Sequence, residues 1–376
     1  MKKILFALLL CLKNLHFPVK YSVICLILAF FTSVHARNEG KTSPDIVTRH
    51  DSNPSTSQDK AEAQYRLGML AKNGSQPADK ATAHEWFEKA AVAGYKPAMY
   101  QLALMQFSGT GIAENKSAAM EQFKKLAEEG FAPAQYTLGY LNLKGDGIPQ
   151  NPQIAKDWFE KAAVQNDVRA TASLAWLYLE GVGTTHDEKK AATLFEKAVQ
   201  MNDAYSQDQL GLMASKGRGM AADPAKALAL FEKAANQGYP AAQYHLALML
   251  LGGIGTEKNP EPAAQWLEKA ATQGYVDAQH FYGSILYVGL GVKQDIPKAI
   301  KYFTLAAKNG HAESQYILGT IYARGNGVVA DLKKARKWFM EAEKAGHPEA
   351  KNALAKLGEM ETAVPSGTGE NGQNLP

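Results

Sequence analysis

The stretch GRGMAADPAKALALFEKAANQG, residues 217–238, opens on a Gly-x-Gly element, turns at Asp223 and closes on Gly238. The segment between the turn and the last glycine is rich in alanine and has the composition of a short helix. A Gly-x-Gly element ahead of a helix can bind a phosphate group, or it can simply turn the chain. The rest of the sequence decides between these two interpretations.

The Gly-x-Gly element recurs at a fixed step of 36 residues. Its seven copies begin at Gly109, Gly145, Gly181, Gly217, Gly253, Gly289 and Gly325, and the second glycine follows two residues later, as at Gly147. Such a period indicates a stack of repeated helical units. The copies also lack the third glycine of a dinucleotide-binding loop and follow helical segments instead of strands. We therefore predict turns, with no bound nucleotide and no cofactor.

Helix starts follow each of these turns. An Asp or Asn stands four residues after every second glycine, at Asn115, Asn151, Asp187, Asp223, Asn259, Asp295 and Asp331. A side-chain oxygen at the start of a helix accepts a hydrogen bond from a free backbone N–H, which stabilises the helix by about 1 kcal/mol. Proline follows three of these residues, at the first helical position, where the missing N–H costs nothing.

Helix ends are marked at the same step. The residues there are Gly94, Gly130, Asn166, Asn202, Gly238, Gly274, Gly310 and Gly346. Glycine and asparagine are the residues that most readily adopt the left-handed conformation found after a helix. Their alternation at this position therefore predicts the C-terminal stop of one helix in each unit.

Each unit reads as two helices. The second helix carries an alanine and an aromatic four residues apart on one face, such as Ala227 and Phe231. In the first helix a leucine precedes a small residue, as at Gly139, where we expect the backbone of a neighbouring helix to leave no room for a larger side chain. A lone helix near 347–358 carries more polar residues, as the exposed end of a repeat array requires.

These motifs together resemble the Sel1-like repeat, a relative of the tetratricopeptide repeat. The resemblance is clearest in AQYTLGYLNLKGDGIPQNPQIAKDWFEKAAVQN (134–166) and SQYILGTIYARGNGVVADLKKARKWFMEAEKAG (314–346), and it covers about residues 60–358. It implies an all-α fold, a right-handed α-solenoid superhelix of about eight helix-turn-helix repeats with a C-terminal capping helix. It also implies a scaffold for protein partners, and exported bacterial members are associated with envelope assembly and host-cell contact.

The first 36 residues have a different character. Lysines precede the apolar run YSVICLILAFFTSV, and the segment ends in VHA, a pattern typical of a cleaved export signal. The run is shorter than the roughly 20 residues of a spanning helix. We therefore predict a periplasmic or secreted protein with no stable membrane span after cleavage. The alternative is an uncleaved leader that anchors the chain in the inner membrane.

Removal of this leader changes the composition of the chain. Four of the 41 basic residues lie in it and no acidic residue does, so 37 basic and 37 acidic residues remain. Both cysteines, Cys11 and Cys25, are lost with it. The mature chain thus has no excess positive charge for nucleic acid and no thiol site. The flanking segments 37–59 and 359–376 lack apolar periodicity and are predicted to be a flexible linker and a disordered tail.

The sequence contains no recognisable catalytic or metal-binding pattern. The histidines lack ligand spacing and are predicted to be surface or packing residues, and the acidic residues fall at helix caps and on helix surfaces. We therefore predict a protein that is not an enzyme and holds no metal. Some cysteine-rich members of the resembled family have been linked to β-lactam hydrolysis. A periplasmic glycan-binding or β-lactam- or peptidoglycan-active protein of the same fold is thus the alternative.

A partner would bind along the first helices of successive units. The predicted groove comprises Tyr140, Lys144, Trp176, Glu180, Leu212, Lys216, Leu248, Tyr287 and Arg324. Exposed aromatic anchors and charged residues at the edge are typical of protein interfaces. Aromatic rings also stack on sugars, so a glycan ligand stays open. In the competing interpretation, the apolar residues of this set pack in the interior between neighbouring repeats.

Overall fold

The computed structural model describes residues 56–74 and 77–363, and all of the regular secondary structure in these residues is helical. The seventeen helices are α1 (Ser57–Lys72), α2 (Pro77–Val92), α3 (Lys96–Ser108), α4 (Lys116–Glu128), α5 (Ala132–Lys144), α6 (Pro152–Val164), α7 (Val168–Glu180), α8 (Glu188–Gln200), α9 (Ala204–Lys216), α10 (Pro224–Asn236), α11 (Pro240–Gly252), α12 (Pro260–Thr272), α13 (Val276–Val288), α14 (Ile296–Lys308), α15 (Ala312–Arg324), α16 (Leu332–Lys344) and α17 (Ala350–Ala363). None of these described helices is long and apolar enough to cross a membrane.

The ends of the helical region differ slightly from the predicted boundaries. Helix α1 begins at Ser57 and α17 ends at Ala363, so helix includes residues 57–59 and 359–363, which the sequence analysis assigns to the linker and the tail. The predicted export signal, 1–36, lies outside the described residues. Most of the predicted linker and tail lies outside them as well.

The chain divides into two compact units. Helices α1–α8 belong to the first unit, which ends at Met201, and helices α9–α17 belong to the second, which begins at Asn202. Within each unit, every helix packs against the helices before and after it. A stack of helix pairs in which each pair contacts only the neighbouring pairs is an α-solenoid, the fold class predicted from the 36-residue period.

The predicted caps start the even-numbered helices. Six of the seven side chains accept a hydrogen bond from the backbone N–H three residues later, at Asn115, Asn151, Asp187, Asp223, Asp295 and Asp331. Asn259 makes no such bond. The third residue after Asn259 is Pro262, which has no N–H to donate.

The predicted stop positions have left-handed backbone conformations. The glycines among them have φ between 76° and 86°, at Gly94, Gly130, Gly238, Gly274, Gly310 and Gly346. Asn166 and Asn202, with φ of 62° and 61°, are the only described residues other than glycine with positive φ. The Gly-x-Gly turns also require this conformation, since Gly145 and Gly147 have φ of 74° and 75°. Glycine and asparagine therefore stand where the backbone demands them.

A buried phenylalanine of the second helix packs against the first helix in every pair except α11 and α12, where the residue is Leu267. The ring of Phe159 in α6 is fully buried, and a Cβ atom added to Gly139 of α5 would lie 2.6 Å from it. In the second unit the same relation joins Phe231 to Gly211, at 2.8 Å. The small residue of the first helix thus makes room for an aromatic side chain and also for the backbone of the second helix, since the Ala155 carbonyl oxygen would lie 3.1 Å from the same Cβ atom.

Buried glutamines link successive helices within each unit. Gln135 of α5 donates to the Ala127 carbonyl at the end of α4 (3.0 Å) and accepts from Gln165, the C-cap residue of α6 (2.8 Å). In the second unit, Gln243 accepts from Gln273 in the same way (2.8 Å). These bonds satisfy a carbonyl at a helix end and tie three consecutive helices together. The sequence analysis does not predict them.

Candidate partner-binding surface

The odd-numbered helices α5 to α15 carry the residues of the predicted groove at their ninth, twelfth and thirteenth positions. The second, sixth, ninth and thirteenth residues of such a helix lie on one face, because they are four, three and four residues apart. We call this set the helix A stripe, where helix A is the first helix of each repeat. In α5 it comprises Pro133, Thr137, Tyr140 and Lys144, and in α7 it comprises Arg169, Ser173, Trp176 and Glu180.

Two aromatic residues form the centre of the stripe in the first unit. Tyr140 and Trp176 occupy the same position in α5 and α7, which contact each other, and each is half-buried. The ring centroid of Tyr140 lies 6.5 Å from that of Tyr136. Burial, with a smaller effect of Asp146, raises the pKa of Tyr140. Tyr140 therefore packs against Tyr136, and both Tyr140 and Trp176 keep part of their surface accessible.

Arg169, on the same stripe as Trp176, is held in a fixed position by Asp167 and Tyr136. Arg169 donates from Nη2 to Asp167 Oδ2 at 2.8 Å, and its guanidinium lies 4.3 Å from the ring centroid of Tyr136. Burial opposes its charge, but the hydrogen bonds to Asp167 outweigh burial and raise the pKa of Arg169. Asp167 also caps α7. The sequence analysis misses this arginine, although the local Asp-x-Arg pattern is a signal that could have found it.

The last position of the stripe in the first unit holds one basic and one acidic residue. Lys144 is half-buried, and burial lowers its pKa, whereas Glu180 is exposed. The two residues occupy the thirteenth positions of α5 and α7. The stripe of the first unit therefore contains an aromatic pair, an oriented arginine and two residues of opposite charge.

The second unit carries a different version of the stripe. Leu212 is half-buried, and the predicted edge residues Lys216 and Arg324 are exposed. Burial and, to a smaller extent, the neighbouring Arg218 lower the pKa of Lys216.

Two predicted groove residues of the second unit are buried instead. Leu248 is 5% and Tyr287 is 7% exposed. Tyr287 packs against Phe303, with ring centroids 6.5 Å apart, and its hydroxyl accepts a hydrogen bond from Asn326 Nδ2 at 3.3 Å. Leu248 lies on α11 between other buried side chains, including Leu251. The competing interpretation, interior packing, applies to these two residues.

Polar groups fill part of the interior of the second unit. His245 Nδ1 lies 2.7 Å from Asp208 Oδ1, and both side chains are buried. Asp208 stands where α5 has Tyr136, and its histidine partner is 37 residues away in the sequence. This pair explains how an acid can occupy an aromatic position of the repeat.

Two further histidines stack on each other in the second unit. The rings of His280 and His311 are 4.4 Å apart, and His280 Nδ1 lies 2.9 Å from Ser314 Oγ. Burial lowers the pKa of both histidines, that of His280 well below the usual range. Ser314 is fully buried and cannot reach a substrate. Within the part of the chain that the structure describes, no three His, Cys, Asp or Glu side chains are grouped to hold a metal ion.

The fold and its surface define a class, that of helical repeat proteins built as an α-solenoid. The Sel1 repeat matches eight consecutive segments of the chain: residues 61–95, 96–131, 132–167, 168–203, 204–239, 240–275, 276–311 and 312–347. Because these segments cover most of the sequence, the chain belongs to the Sel1 repeat family. Members of this family typically act as scaffolds in protein–protein interaction and typically have no catalytic activity.

Two solved structures are similar over most of the chain. One is a protective antigen of uropathogenic Escherichia coli strains that displays an SLR fold, with 31% identity and a TM-score of 0.65 over 81% of this chain. The other is a Sel1 repeat protein from Oxalobacter formigenes, with 30% identity and a TM-score of 0.60 over 79% of this chain. The matches span 65% and 86% of those two proteins, respectively. A comparison with proteins of curated function gave no match.

Proposed function

We propose that this protein is a non-enzymatic scaffold that binds a protein partner through the helix A stripe of its first unit. The observation that carries the proposal is the pair of half-buried aromatics, Tyr140 and Trp176, on a stripe that also includes Arg169, whose guanidinium is oriented over the Tyr136 ring. Tryptophan, tyrosine and arginine contribute most of the binding energy at protein interfaces. The Sel1 repeat family, to which the chain belongs, supports a protein as the ligand.

The charges on the stripe define the chemistry of the partner. Lys144 faces an acidic group of the partner, and Glu180 faces a basic one, since complementary charges steer and orient association. Apolar side chains of the partner contact Tyr140 and Trp176. A partner segment with apolar residues between charges of opposite sign therefore fits this surface better than a uniformly charged polymer does.

The test is capture of a partner by the purified protein from an envelope extract of the source cells, followed by affinity measurement. Trp176→Ala and Lys144→Glu remove the proposed anchor and reverse the proposed charge. Trp158→Ala is the matched control for the first, because Trp158 is a half-buried tryptophan on the even-numbered helix α6. Lys124→Glu is the control for the second, because the Lys124 side chain is 69% exposed on α4.

We expect Trp176→Ala to weaken the captured complex by at least tenfold, as loss of an interface anchor does. Lys144→Glu weakens it less, and both controls bind like the parent chain. Helical content by circular dichroism stays unchanged in all four variants. Equal losses in Trp158→Ala and Trp176→Ala would contradict the proposal. Unfolding of the first unit by Trp176→Ala would make that residue structural, and capture of a glycan instead of a protein would favour the alternative function.

We also propose that the protein works outside the cytoplasm, in the periplasm or as a secreted protein, with a role in envelope assembly or host-cell contact. Residues 1–36 support this location, because they contain lysines, an apolar run and a VHA ending. The test is N-terminal sequencing of the protein from fractionated cells. We expect periplasmic or secreted material that begins at Arg37. A membrane-bound chain that keeps Met1 would indicate an anchor, and cytoplasmic material would contradict export.

A further inference from the structure

Aromatic rings join consecutive repeats at one recurring position of the fold. In five places a ring on an odd-numbered helix packs against a ring that precedes the next odd-numbered helix, and we call each such contact a joint. The ring centroids are 4.2–5.8 Å apart in these joints, which are Tyr65–Tyr95, Tyr100–Phe131, Tyr244–Tyr275, His280–His311 and Tyr316–His347. Four of the five contain a tyrosine, whereas the joint between α13 and α15 consists of two imidazoles.

The two imidazoles of this joint are close together and partly enclosed. Their rings are stacked with centroids 4.4 Å apart, and the side chain of His311 is 21% exposed. The ring of Phe303, on α14, lies 5.9 Å from that of His280. Two cationic rings at such a short distance repel each other, and partial burial strengthens the repulsion. The folded joint therefore disfavours the state in which both imidazoles carry an extra proton.

A hydrogen bond at the start of α15 gives the joint a second reason to stay neutral. The backbone N–H of Ser314 donates to Nδ1 of His311 at 3.1 Å, so the imidazole is the N-cap of α15. The added proton of an imidazolium would occupy this nitrogen, which could then no longer accept a hydrogen bond. Protonation of His311 therefore removes the cap that satisfies a free N–H group at the start of this helix.

The acidic groups around the joint act on one of the two histidines. Burial lowers the pKa of both, and at His311 this effect is partly offset by Asp277, on α13, and by Glu313, on α15. Oδ1 of Asp277 lies 3.8 Å from His311 Nε2. Two further histidines interact with these carboxylates, one on α11 and one before α17: His245 and His347. A first proton therefore goes to His311, and its charge opposes a second one on the stacked His280.

We propose that the His280–His311 pair is an acid-sensitive joint, at which the repeat formed by α15 and α16 loosens from the preceding repeat when the pH falls below about 6. Each repeat is held chiefly by its neighbours, so the loss of one joint loosens the short C-terminal side of the stack first. The tyrosine joint one repeat earlier, Tyr244–Tyr275, has no group that binds a proton in this pH range. This device is independent of the function proposed for the stripe.

Hydrogen exchange at pH 7.5 and pH 5.0 tests the proposal, with each rate corrected for the chemical effect of pH on exchange. A histidine that takes up a proton only when the joint is open favours opening by up to about thirtyfold at pH 5.0. We expect the α15 amides of the parent chain to lose at least tenfold in protection. The α5 amides, which follow the joint Tyr100–Phe131, should change less than twofold.

A double variant isolates the effect of the two imidazoles. His280→Tyr combined with His311→Tyr gives the joint the two tyrosines that are found one repeat earlier, and its α15 protection should change less than twofold between the two pH values. His347→Tyr is the matched control, because it removes an imidazole that is stacked on Tyr316 in the next joint. It should lose protection in α15 as the parent does. Circular dichroism at pH 7.5 should show that all of these chains are folded.

Two results of the exchange experiment would overturn the proposal: α15 protection in the parent that is the same at both pH values, or an equal loss in the double variant. An equal loss in α5 would show a general effect of acid and would overturn it as well. NMR titration of the imidazole ring protons gives a second readout on the parent chain alone. We expect His280 to stay neutral in the folded protein at pH 5.5. Titration of both His280 and His311 near pH 6.5, with α15 still protected, would contradict the proposal.

Discussion

At the scale of single residues, each repeat depends on one left-handed backbone position after its second helix. The sequence predicts these positions because the requirement is local: only glycine and asparagine occupy them, and the structure gives all of them positive φ. The N-caps are equally local, and the one failure, at Asn259, follows from Pro262 three residues later.

Gly274 provides a clean test of the backbone requirement. Its φ is 86°, and a Cβ atom added there would meet nothing within 4 Å, so any cost of a side chain is conformational. We expect Gly274→Val to lower the free energy of unfolding by about 1–2 kcal/mol, and Gly274→Asn to lower it much less. Urea unfolding of the parent and both variants measures the difference. Equal losses would contradict the role assigned to this position.

His280 predicts how stability depends on pH. Its pKa is lowered by burial and, less, by His311, so the unfolded chain, with a histidine pKa of about 6.5, binds this proton more readily than the folded chain does. The contribution of His280 to the free energy of unfolding is therefore complete above about pH 6.5, and it is lost as the pH falls below that value. His311 stacks on His280, Ser314 Oγ lies 2.9 Å from its Nδ1, and Asp277 Oδ1 lies 3.8 Å from His311 Nε2.

The variant His280→Tyr removes this proton-binding group. Tyrosine is the natural residue at this repeat position in α5, α11 and α15. We expect the parent chain to lose about 1 kcal/mol more stability than His280→Tyr between pH 7.5 and pH 5.5. Urea unfolding at the two pH values measures the loss. His186→Tyr, at a side chain that is 54% exposed, should behave like the parent, and an unchanged loss in His280→Tyr would exclude this account.

At the scale of helices, the pairing of a small residue with an aromatic sets how closely the two helices of a repeat approach. A Cβ atom at Gly139 would lie 2.6 Å from Phe159. In the second unit, the pair α11 and α12 has Ala247 and Leu267 at the same positions, and both are buried. Alanine on the first helix thus occurs with leucine here, and with phenylalanine at Ala103–Phe123 and Ala175–Phe195 of the first unit.

A double-mutant cycle at Gly139 and Phe159 tests this relation. Gly139→Ala alone should cost about 1–3 kcal/mol through overpacking. In combination with Phe159→Leu the total loss should be smaller than the sum of the two single losses by at least about 0.5 kcal/mol, because the residues share one contact. Urea unfolding of the four chains gives the coupling. Strictly additive losses would show that the ring does not set the helix spacing.

The interactions between helices mark the limit of what the sequence predicts. Gln165 and Gln135 are 30 residues apart, and His245 and Asp208 are 37 apart, so only the stacking of repeats brings them together. Periodicity also shows which residues share a face, but not how deeply neighbouring helices enclose that face. For this reason the predicted groove residues Leu248 and Tyr287 are buried, whereas Tyr140 and Trp176 remain half-buried.

At the scale of the whole molecule, the two units carry different versions of one repeated surface. The first unit has an accessible aromatic pair with an oriented arginine, and the second has a stripe whose middle positions are mostly buried. The residues after the predicted leader carry equal numbers of basic and acidic groups, so their net charge does not favour binding to a uniformly charged polymer. Recognition therefore depends on the local arrangement of the stripe.

Hydroxyl-radical footprinting of the complex with its captured partner tests the central claim without any substitution. The oxidation rates of Tyr140 and Trp176, on the stripe, are compared with those of Trp158 and Trp266, which are half-buried on the even-numbered helices α6 and α12. The account predicts that the partner slows oxidation of Tyr140 and Trp176 at least several-fold and leaves Trp158 and Trp266 unchanged. Protection of Trp158 or Trp266, with Trp176 oxidised as fast as in the free protein, would contradict it.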